Sequence, residues 1–417
     1  MNKIVFFAPL TAACLLLSEQ TLANGFALNE QSVSSMGTSF AGRSSAALDA
    51  STVYGNPAGM SKLKEEQASF GFVLIVPDVD ISNYSATNAA GPVSGRVNND
   101  ITPPTPIPFN YYVKPLNDKW HFGFGVFSPS GLSSNYDNDS AVRYLADKSE
   151  LTVIHFQPSV SYAVNEDFSI GLGVIASYSE TLMSARLPGT DGKLEITGDD
   201  WGFGYAIGLL YQLTPQTRAG LVYRSKVKYD FNTKTEIRDL APSLGPQNMD
   251  INGSLSSTMP ESVDFSITHE IDDRWTVYAG TTWTRWSRFK ALTVKNPGSP
   301  SALFETLDQP MNWHDSWSYA LGASYQLTPE LVLRAGVALD DSPAGSTQNV
   351  RFPIADRKSF SLGAGWKASD QITVDVAYAY VKQKDFTLVQ QDEIGNSFQG
   401  DYAAAGHGFG MQLNYRF

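Results

Sequence analysis

Past about residue 65, apolar side chains recur at every second position, the repeat of a β-strand. From Ile372 one face carries Ile372, Val374, Val376, Tyr378 and Tyr380, and the other Thr373, Asp375, Ala377 and Ala379. From Trp201 the apolar face runs Trp201, Phe203, Tyr205, Ile207, Leu209 and Tyr211, opposite Gly202, Gly204, Ala206, Gly208, Leu210 and Gln212. The last residues repeat the pattern, with Phe409, Met411, Leu413, Tyr415 and Phe417 against Gly410, Gln412, Asn414 and Arg416. A soluble sandwich turns a charged face to water. Here the second face is mostly small, which suits the crowded interior of a barrel. No run of about 18 apolar residues follows the first twenty positions, so membrane-spanning helices are excluded.

Fourteen such runs are predicted, near 66–77, 108–115, 119–128, 150–163, 168–184, 194–212, 218–232, 254–270, 275–290, 314–326, 331–340, 357–367, 371–383 and 405–417. Their connections alternate. Six are short and carry turn residues: Leu116–Lys119, Asn165–Asp167, Thr214–Gln216, Asp272–Arg274, Thr328–Glu330 and Ser369–Asp370. Seven are long, near 78–107, 129–149, 185–193, 233–253, 291–313, 341–356 and 384–404. An even strand count with one tight rim and one long-looped rim predicts an all-β fold, a fourteen-stranded antiparallel transmembrane β-barrel of the outer membrane. Composition agrees. Charged residues are 17%, against about 25% in soluble domains, and the formal charge of −12 argues against a nucleic-acid partner. Trp275, Trp283, Trp286, Trp313, Trp317, Tyr319, Tyr378 and Tyr380 crowd strand ends and are expected in interfacial girdles. The terminal Phe417 fits the last strand of such a barrel.

The first residues read as a cleaved secretory signal, 1–23, with Lys3 in the n-region, an apolar Ile4–Leu17, and Thr21-Leu22-Ala23 before the cut. A lipoprotein signal ending at Cys14 is the competing reading; the apolar run continuing through Leu15-Leu16-Leu17 argues against it. Cys14 is the only cysteine, so the exported chain is expected to use neither disulfides nor thiolate chemistry. Residues 24–64 lack the strand period and hold short apolar patches. Side chains alone fill a barrel only up to about eight strands, so a wider lumen holds either water or a plug. The apolar content of 24–64 favours a plug, ahead of a barrel over 65–417.

Asn24-Gly25-Phe26-Ala27-Leu28-Asn29-Glu30-Gln31, followed by Asn56-Pro57-Ala58, resembles the start of the FadL family of long-chain fatty-acid transporters, which includes channels for aromatic hydrocarbons. Trp201-Gly202-Phe203-Gly204, Tyr223-Arg224-Ser225-Lys226-Val227-Lys228 and Asp340-Asp341-Ser342-Pro343 extend the resemblance along the chain. It implies a fourteen-stranded barrel with an N-terminal hatch marked by Asn56, Pro57 and Ala58. It also implies a ligand site that Phe26 and Leu28 reach, and an inward kink of the third strand at Gly123–Gly131. Gly125, Ser128, Pro129 and Gly131 are the candidates for the resulting gap in the wall; Pro129 either breaks the pairing or only starts the long connection. The implied mechanism is passive: capture in the lumen, a shift of the N-terminus, and sideways release through the wall.

Apolar side chains at Phe127, Ile175 and Leu210 are expected to face the lumen where a porin would be charged. Arg334 and Arg416 are candidate inward cations, and Arg186, Arg224, Lys226 and Lys228 lie near strand ends. The resemblance implies a carboxylate-binding cation, for which Arg186 is a candidate that the stretch Tyr178–Arg186 does not fix, so the substrate stays open between a fatty acid and a neutral hydrocarbon. No metal, cofactor or catalytic residue is expected. The five histidines have no metal-ligand spacing, and Gly37-Thr38-Ser39-Phe40-Ala41-Gly42 is one residue too long for a nucleophile elbow. An outer-membrane lipase, a general porin and a purely adhesive or structural barrel are the rivals. The expected partners are a hydrophobic small molecule, outer-membrane lipid and lipopolysaccharide, with the chain acting as a monomer.

Overall fold

Alternation becomes a closed wall. The structure, a computed structural model, describes residues 25–99, 101–345 and 348–417; the expected signal sequence lies outside them. Twenty strands, β1 to β20, form fourteen staves. Nine staves are single strands: β1 (Gln67–Asn88), β3 (Thr105–Pro115), β4 (Trp120–Asn135), β5 (Lys148–Ala163), β6 (Phe168–Leu187), β7 (Gly192–Thr214), β16 (Leu331–Asp340), β17 (Arg357–Lys367) and β20 (Ser397–Arg416). Five are interrupted: β8 (Thr217–Arg224) with β9 (Val227–Arg238), β10 (Met249–Met259) with β11 (Ser262–Glu270), β12 (Trp275–Thr284) with β13 (Ala291–Lys295), β14 (Thr306–Pro310) with β15 (Ser316–Thr328), and β18 (Ile372–Gln383) with β19 (Phe386–Gln391). The two-residue β2 (Gly91–Pro92) caps the end of β1. Each stave pairs antiparallel with the next, and β20 returns to β1 from Gln67↔Arg416 to Thr87↔Ser397.

The two faces of this wall separate as the alternation predicts. In β7, Trp201, Phe203, Tyr205, Ile207, Leu209 and Tyr211 point outward and are exposed, while Gly202, Ala206, Gly208 and Leu210 are buried. Phe203 is 72% exposed and Leu321 62%. An apolar belt right round a protein exceeds the few hundred Å² that soluble monomers expose, and it needs hydrocarbon beside it.

All six predicted tight turns join staves at one rim. At the other rim the connections are less irregular than expected. β1, β4, β6, β7, β9, β10 and β20 continue as strand beyond the predicted runs, and 185–193 is largely a hairpin closed at residues 188–191. The extensions hold together because they bury apolar clusters of their own. One contains Tyr136, Val350, Leu388, Phe398 and Tyr402, another Ile237, Leu240, Met249 and Phe304.

Residues 25–66 run across the inside of the ring. A short helix, Val33–Met36, is capped by the Ser32 side chain, which accepts from Ser35 N. A helical turn at Thr52–Gly55 leads into a 3-10 helix, Pro57–Lys62. The wall makes room for them with glycine. A methyl group at Gly208 would lie 1.9 Å from Asn56 Oδ1, and one at Gly220 1.9 Å from the Ser44 carbonyl. Inward glycine in β6, β7, β8, β12, β15, β16 and β17 thus meets the segment backbone or its side chains.

Candidate functional site

The site starts where the wall changes partner. β3 pairs with β1 as far as Thr105↔Ile75, but with β4 only from Asn110↔Val126 to Pro115↔His121. Pro106 and Pro108 have no N–H, so in the continuous ladder with β1 their bare nitrogens face the β4 side. Beyond Phe127, β4 keeps β5 as its neighbour through a register shift between Phe127 and Ser130, and Ser128 Oγ donates to the Val153 carbonyl at 2.7 Å. The edge that β4 withdraws from β3 is taken by the N-terminal segment. Ala27 bridges Ser130, Leu28 N donates to the Pro129 carbonyl at 2.8 Å, and Gly131 N donates to the Phe26 carbonyl at 3.0 Å. Gln31 Nε2 donates to the Ser128 carbonyl at 2.5 Å. Phe109, Tyr111 and Phe127 are buried behind the change of partner and close it with side chains. Gly125 lets the Tyr111 ring approach; a methyl there would lie 2.9 Å from it.

Phe26 is 1% exposed and is held by rings. Its centroid lies 4.6 Å from Trp286, 5.3 Å from Phe289, 5.7 Å from Trp313 and 5.9 Å from Phe352. Gly25 must be glycine here: its φ is +70°, and a methyl group would lie 2.4 Å from the Trp286 ring. Trp286 and Trp313 correct the girdle expectation, since both are buried against Phe26 rather than at the membrane interface. The stave interruptions explain this. A 3-10 turn, Trp286–Arg288, follows β12, and Asn312 with φ 50° separates β14 from β15, so both rings swing inward. Trp275, Trp317, Tyr319 and Tyr380 do point outward.

Two cavities flank this strand. One, of about 450 Å³ of unfilled space, is bordered by Phe26, Leu132, Met183, Phe231, Leu255, Met259 and Phe352, with Arg351 at its edge. Arg351 has four acceptors already: the carbonyls of Lys148, Leu145 and Ser184, and Ser149 Oγ. The larger, of about 1490 Å³ including its mouth, lies on the Ala27 side. Ile75, Val79, Leu132, Ile354, Ala379, Val381 and Ala404 give it an apolar lining, and Glu30, Arg43, Asp264, Asp340 and Arg357 supply charge. Burial pushes the Glu30 carboxyl above its ordinary range, against a backbone N–H and the pull of Arg43.

Below the cavities the segment is tied to the wall. Val33 N donates to Gln412 Oε1 at 2.8 Å, and Asp49 accepts from Ser34 Oγ at 2.6 Å and Gln412 Nε2 at 2.9 Å. Asn56 caps the 3-10 helix through Ala58 N and donates to the carbonyls of Ser44 and Leu209 at 2.7 and 2.9 Å. Pro57 and Ala58 follow, with Ala58 against Gly171.

The remaining sequence candidates are spread out. Leu28 and Phe127 pack together in the cluster beside the change of partner. Ile175 and Leu210 do face inward and are fully buried, but neither borders either of these two cavities. Arg186 lies at the outer rim, where its Nε is 3.2 Å from Asp147. Arg334 is inward and paired with Asp375 at 2.6 Å. Arg416 ends at the turn rim, near the Asp370 carbonyl. Arg224 lies over the Tyr54 ring at 4.2 Å, Lys228 pairs with Asp230, and Lys226 is exposed. Arg43 and Arg357 had no sequence signal beyond charge.

A closed apolar-belted barrel, crossed inside by its own N-terminal segment and holding an apolar cavity, is an outer-membrane transport protein. The chain belongs to the family of outer membrane protein transport proteins (OMPP1/FadL/TodX), whose model matches residues 14–417. It is 29% identical to outer membrane protein P1 of Haemophilus influenzae and 28% identical to the long-chain fatty acid transport protein of Escherichia coli O6:H1, each match covering 98% of both chains. Its fold matches that of a Pseudomonas aeruginosa FadL homologue with a TM-score of 0.84 at 23% identity, over 94% of this chain and 100% of that one. The toluene transporter TodX of Pseudomonas putida matches with a TM-score of 0.67 at 18% identity, over 90% and 95%.

Proposed function

We propose that the chain is a passive channel for long-chain fatty acids, which it takes up into the large cavity and releases sideways where β4 leaves β3. The observation that carries this is one of placement. The cavity is bordered by β1 and β4 on the two sides of the partner change, and the strand closing it is the N-terminal segment, held by a few main-chain bonds. A fatty acid leaving there passes from an apolar cavity to an apolar membrane, so its tail, at about 0.8 kcal/mol per CH₂, never meets water. Relatives named as fatty-acid transport proteins support the substrate. On this reading Phe26, Leu28 and Phe127 touch the ligand or its exit. Gly125, Ser128, Pro129 and Gly131 form the gap, and Asn56, Pro57 and Ala58 seat the hatch. Both cavities are complete within one chain, which supports action as a monomer surrounded by lipid and lipopolysaccharide, with no catalytic step.

The aromatic lining of the smaller cavity favours a second reading, uptake of aromatic hydrocarbons. Uptake of labelled oleate by cells lacking their own fatty-acid transporter tests the first reading, with labelled toluene as the second arm. Saturable oleate uptake that depends on this chain is expected. Toluene uptake alone would transfer the assignment to the second reading.

A further inference from the structure

The wall has another place where its ladder lapses, between the stave of β10 and β11 and that of β12 and β13. Below the lapse, Ser262 pairs with Thr284, and Arg285 N donates to the Glu261 carbonyl at 3.0 Å. Above it, pairing resumes at Leu255↔Val294 and Ser254↔Lys295. Six residues, 256–261, thus face nine, 285–293, and three are surplus to the ladder. Among the described residues, Ser256, Ser257, Thr258 and Met259 pair with β9 on one side and with no strand on the other. The surplus bows out as the 3-10 turn Trp286–Arg288. The far side of this bow is stitched, since Met311 N and Asn312 N donate to the Lys290 carbonyl at 2.8 and 2.9 Å. Towards β10 side chains hold it. Arg288 grips the buried Glu261 with Nε and with Nη2, the latter at 2.6 Å, and Arg285 Nη1 donates to the same carboxylate at 3.1 Å.

A lapse in pairing is not by itself an opening. β7 and β9 also lose their ladder, between Asp199↔Asn232 and Ala206↔Arg224. There Ser225 N donates to the Tyr205 carbonyl and Tyr205 N to Ser225 Oγ, both at 2.8 Å, and Gly202 lets Val227 close in, since a methyl group would lie 2.4 Å from it. At β10 the space behind the lapse is unfilled. Leu255, Ser257 and Met259 on one flank, with Phe289 and Leu292 on the other, border the smaller cavity of about 450 Å³. Trp317 points outward just below, paired with Trp283, at the end of the staves away from the tight turns, which places the lapse at the outer membrane interface. The charged groups of the cavity are already committed: Arg351 has its four acceptors, and Glu150 pairs with Lys148 at 2.7 Å. Its chemistry suits a compact, neutral, apolar ligand. We propose that this lapse is a second portal, through which neutral aromatic molecules dissolved in the outer leaflet exchange directly with the Phe26 cavity, with the grip of Arg285 and Arg288 on Glu261 as its latch. The portal rests on the transport reading above, not on the choice of a fatty acid, and it gives the second ligand class a route apart from β4.

A latch sets the rate of exchange and leaves affinity alone, because it acts on the path and not on the bound state. Fluorobenzene is a compact neutral aromatic, and fluorine NMR on the full chain in phospholipid nanodiscs reads its affinity and exchange rate together. Oleate exchange on the same samples is the comparison. Glu261→Gln removes the charge that both guanidinium groups hold. It is expected to speed fluorobenzene exchange about 10- to 100-fold, the span of hydrogen bonds to a charged group, with affinity kept within about twofold and oleate exchange unchanged. The compact, fast-migrating unboiled form shows that the variant is folded. If Glu261→Gln does not fold, Arg285→Gln leaves both bonds from Arg288 in place and is expected to give the same selective effect at smaller size. Faster exchange of both ligands, a changed affinity at an unchanged rate, or no change at all overturns the portal. So does a wild type that binds oleate but not fluorobenzene. In each of these cases transport where β4 leaves β3 still stands. A wild type that binds neither ligand overturns the transport reading as well.

Discussion

Phe26 is the residue on which the two cavities meet, because it faces one while its neighbour Ala27 faces the other. Replacing it with alanine removes a ring from a cluster of four aromatic partners, a change that costs about 3–5 kcal/mol in a well-packed core. The barrel wall does not depend on that ring, so Phe26→Ala is expected to leave the protein folded. It should weaken oleate binding about tenfold or more, as a titration would show; unchanged binding and uptake would remove Phe26 from the site. Glu30 offers a test by pH. Burial raises its folded pKa above the ordinary 4.5, with Arg43 and Arg357 favouring the anion and Asp340 opposing it. The unfolded chain therefore loses this proton at lower pH than the folded one, and stability falls as pH rises from 4.5 through the raised value. Glu30→Gln cannot ionise, so its thermal midpoint, read from the folded band on unboiled gels, should gain on wild type between pH 4.5 and neutrality. Equal midpoints at both ends of that range would show that Glu30 is not the source of the slope. Phe26 was legible because it lies in a recognisable motif. Trp286 and Trp313 were not, because an aromatic at a strand end reads as interfacial unless the stave is known to break there. Arg357 was not legible either, since a charge where a strand meets a long connection usually sits in water.

The strands were legible from their period and turns; their neighbours were not. Alternation fixes which face a residue takes, but the departure of β4 from β3 depends on the edge to which Pro106 and Pro108 present their missing donors. Residues 105–107 were read as part of a connection, when they continue β3 along β1. The element that fills the vacated edge, Phe26–Leu28, is too short for any period. Its geometry makes release by N-terminal movement testable. Leu28 N donates to the Pro129 carbonyl and Gly131 N to the Phe26 carbonyl, which makes Ala27 and Ser130 a non-hydrogen-bonded antiparallel pair. Such pairs lie about 4.5 Å apart between Cα atoms, within the range a disulfide spans, about 4.4–6.8 Å. The only native cysteine is Cys14. Ala27→Cys with Ser130→Cys should therefore cross-link on oxidation and pin the segment to β4. Oleate binding should persist while uptake falls about tenfold or more, and reduction should restore it. Uptake that continues through the oxidised form would mean that the ligand leaves without moving this strand.

At the scale of the whole molecule, the inward glycines separate a plugged channel from a porin. Fourteen staves enclose more space than their own side chains fill, and the N-terminal segment occupies it by main-chain approach rather than by bulky packing. That is why the second face of each run read as small residues without showing what they were small for. Asn56 and Ser44 are seated where the wall has no Cβ, so adding one at Gly208 or Gly220 removes the seat and leaves the wall intact. Valine suits a strand, and overpacking costs about 1–3 kcal/mol at each position, which the segment can escape by moving and the closed ladder cannot. In planar bilayers the wild type should pass little ion current. Gly208→Val combined with Gly220→Val should migrate as a folded barrel yet conduct in discrete, ohmic steps, because displaced residues 44–58 open a path along the lumen. If the double variant stays as silent as wild type, the barrier to ions lies elsewhere, and the packed outer connections around Tyr136 and Tyr402 become the closure to test.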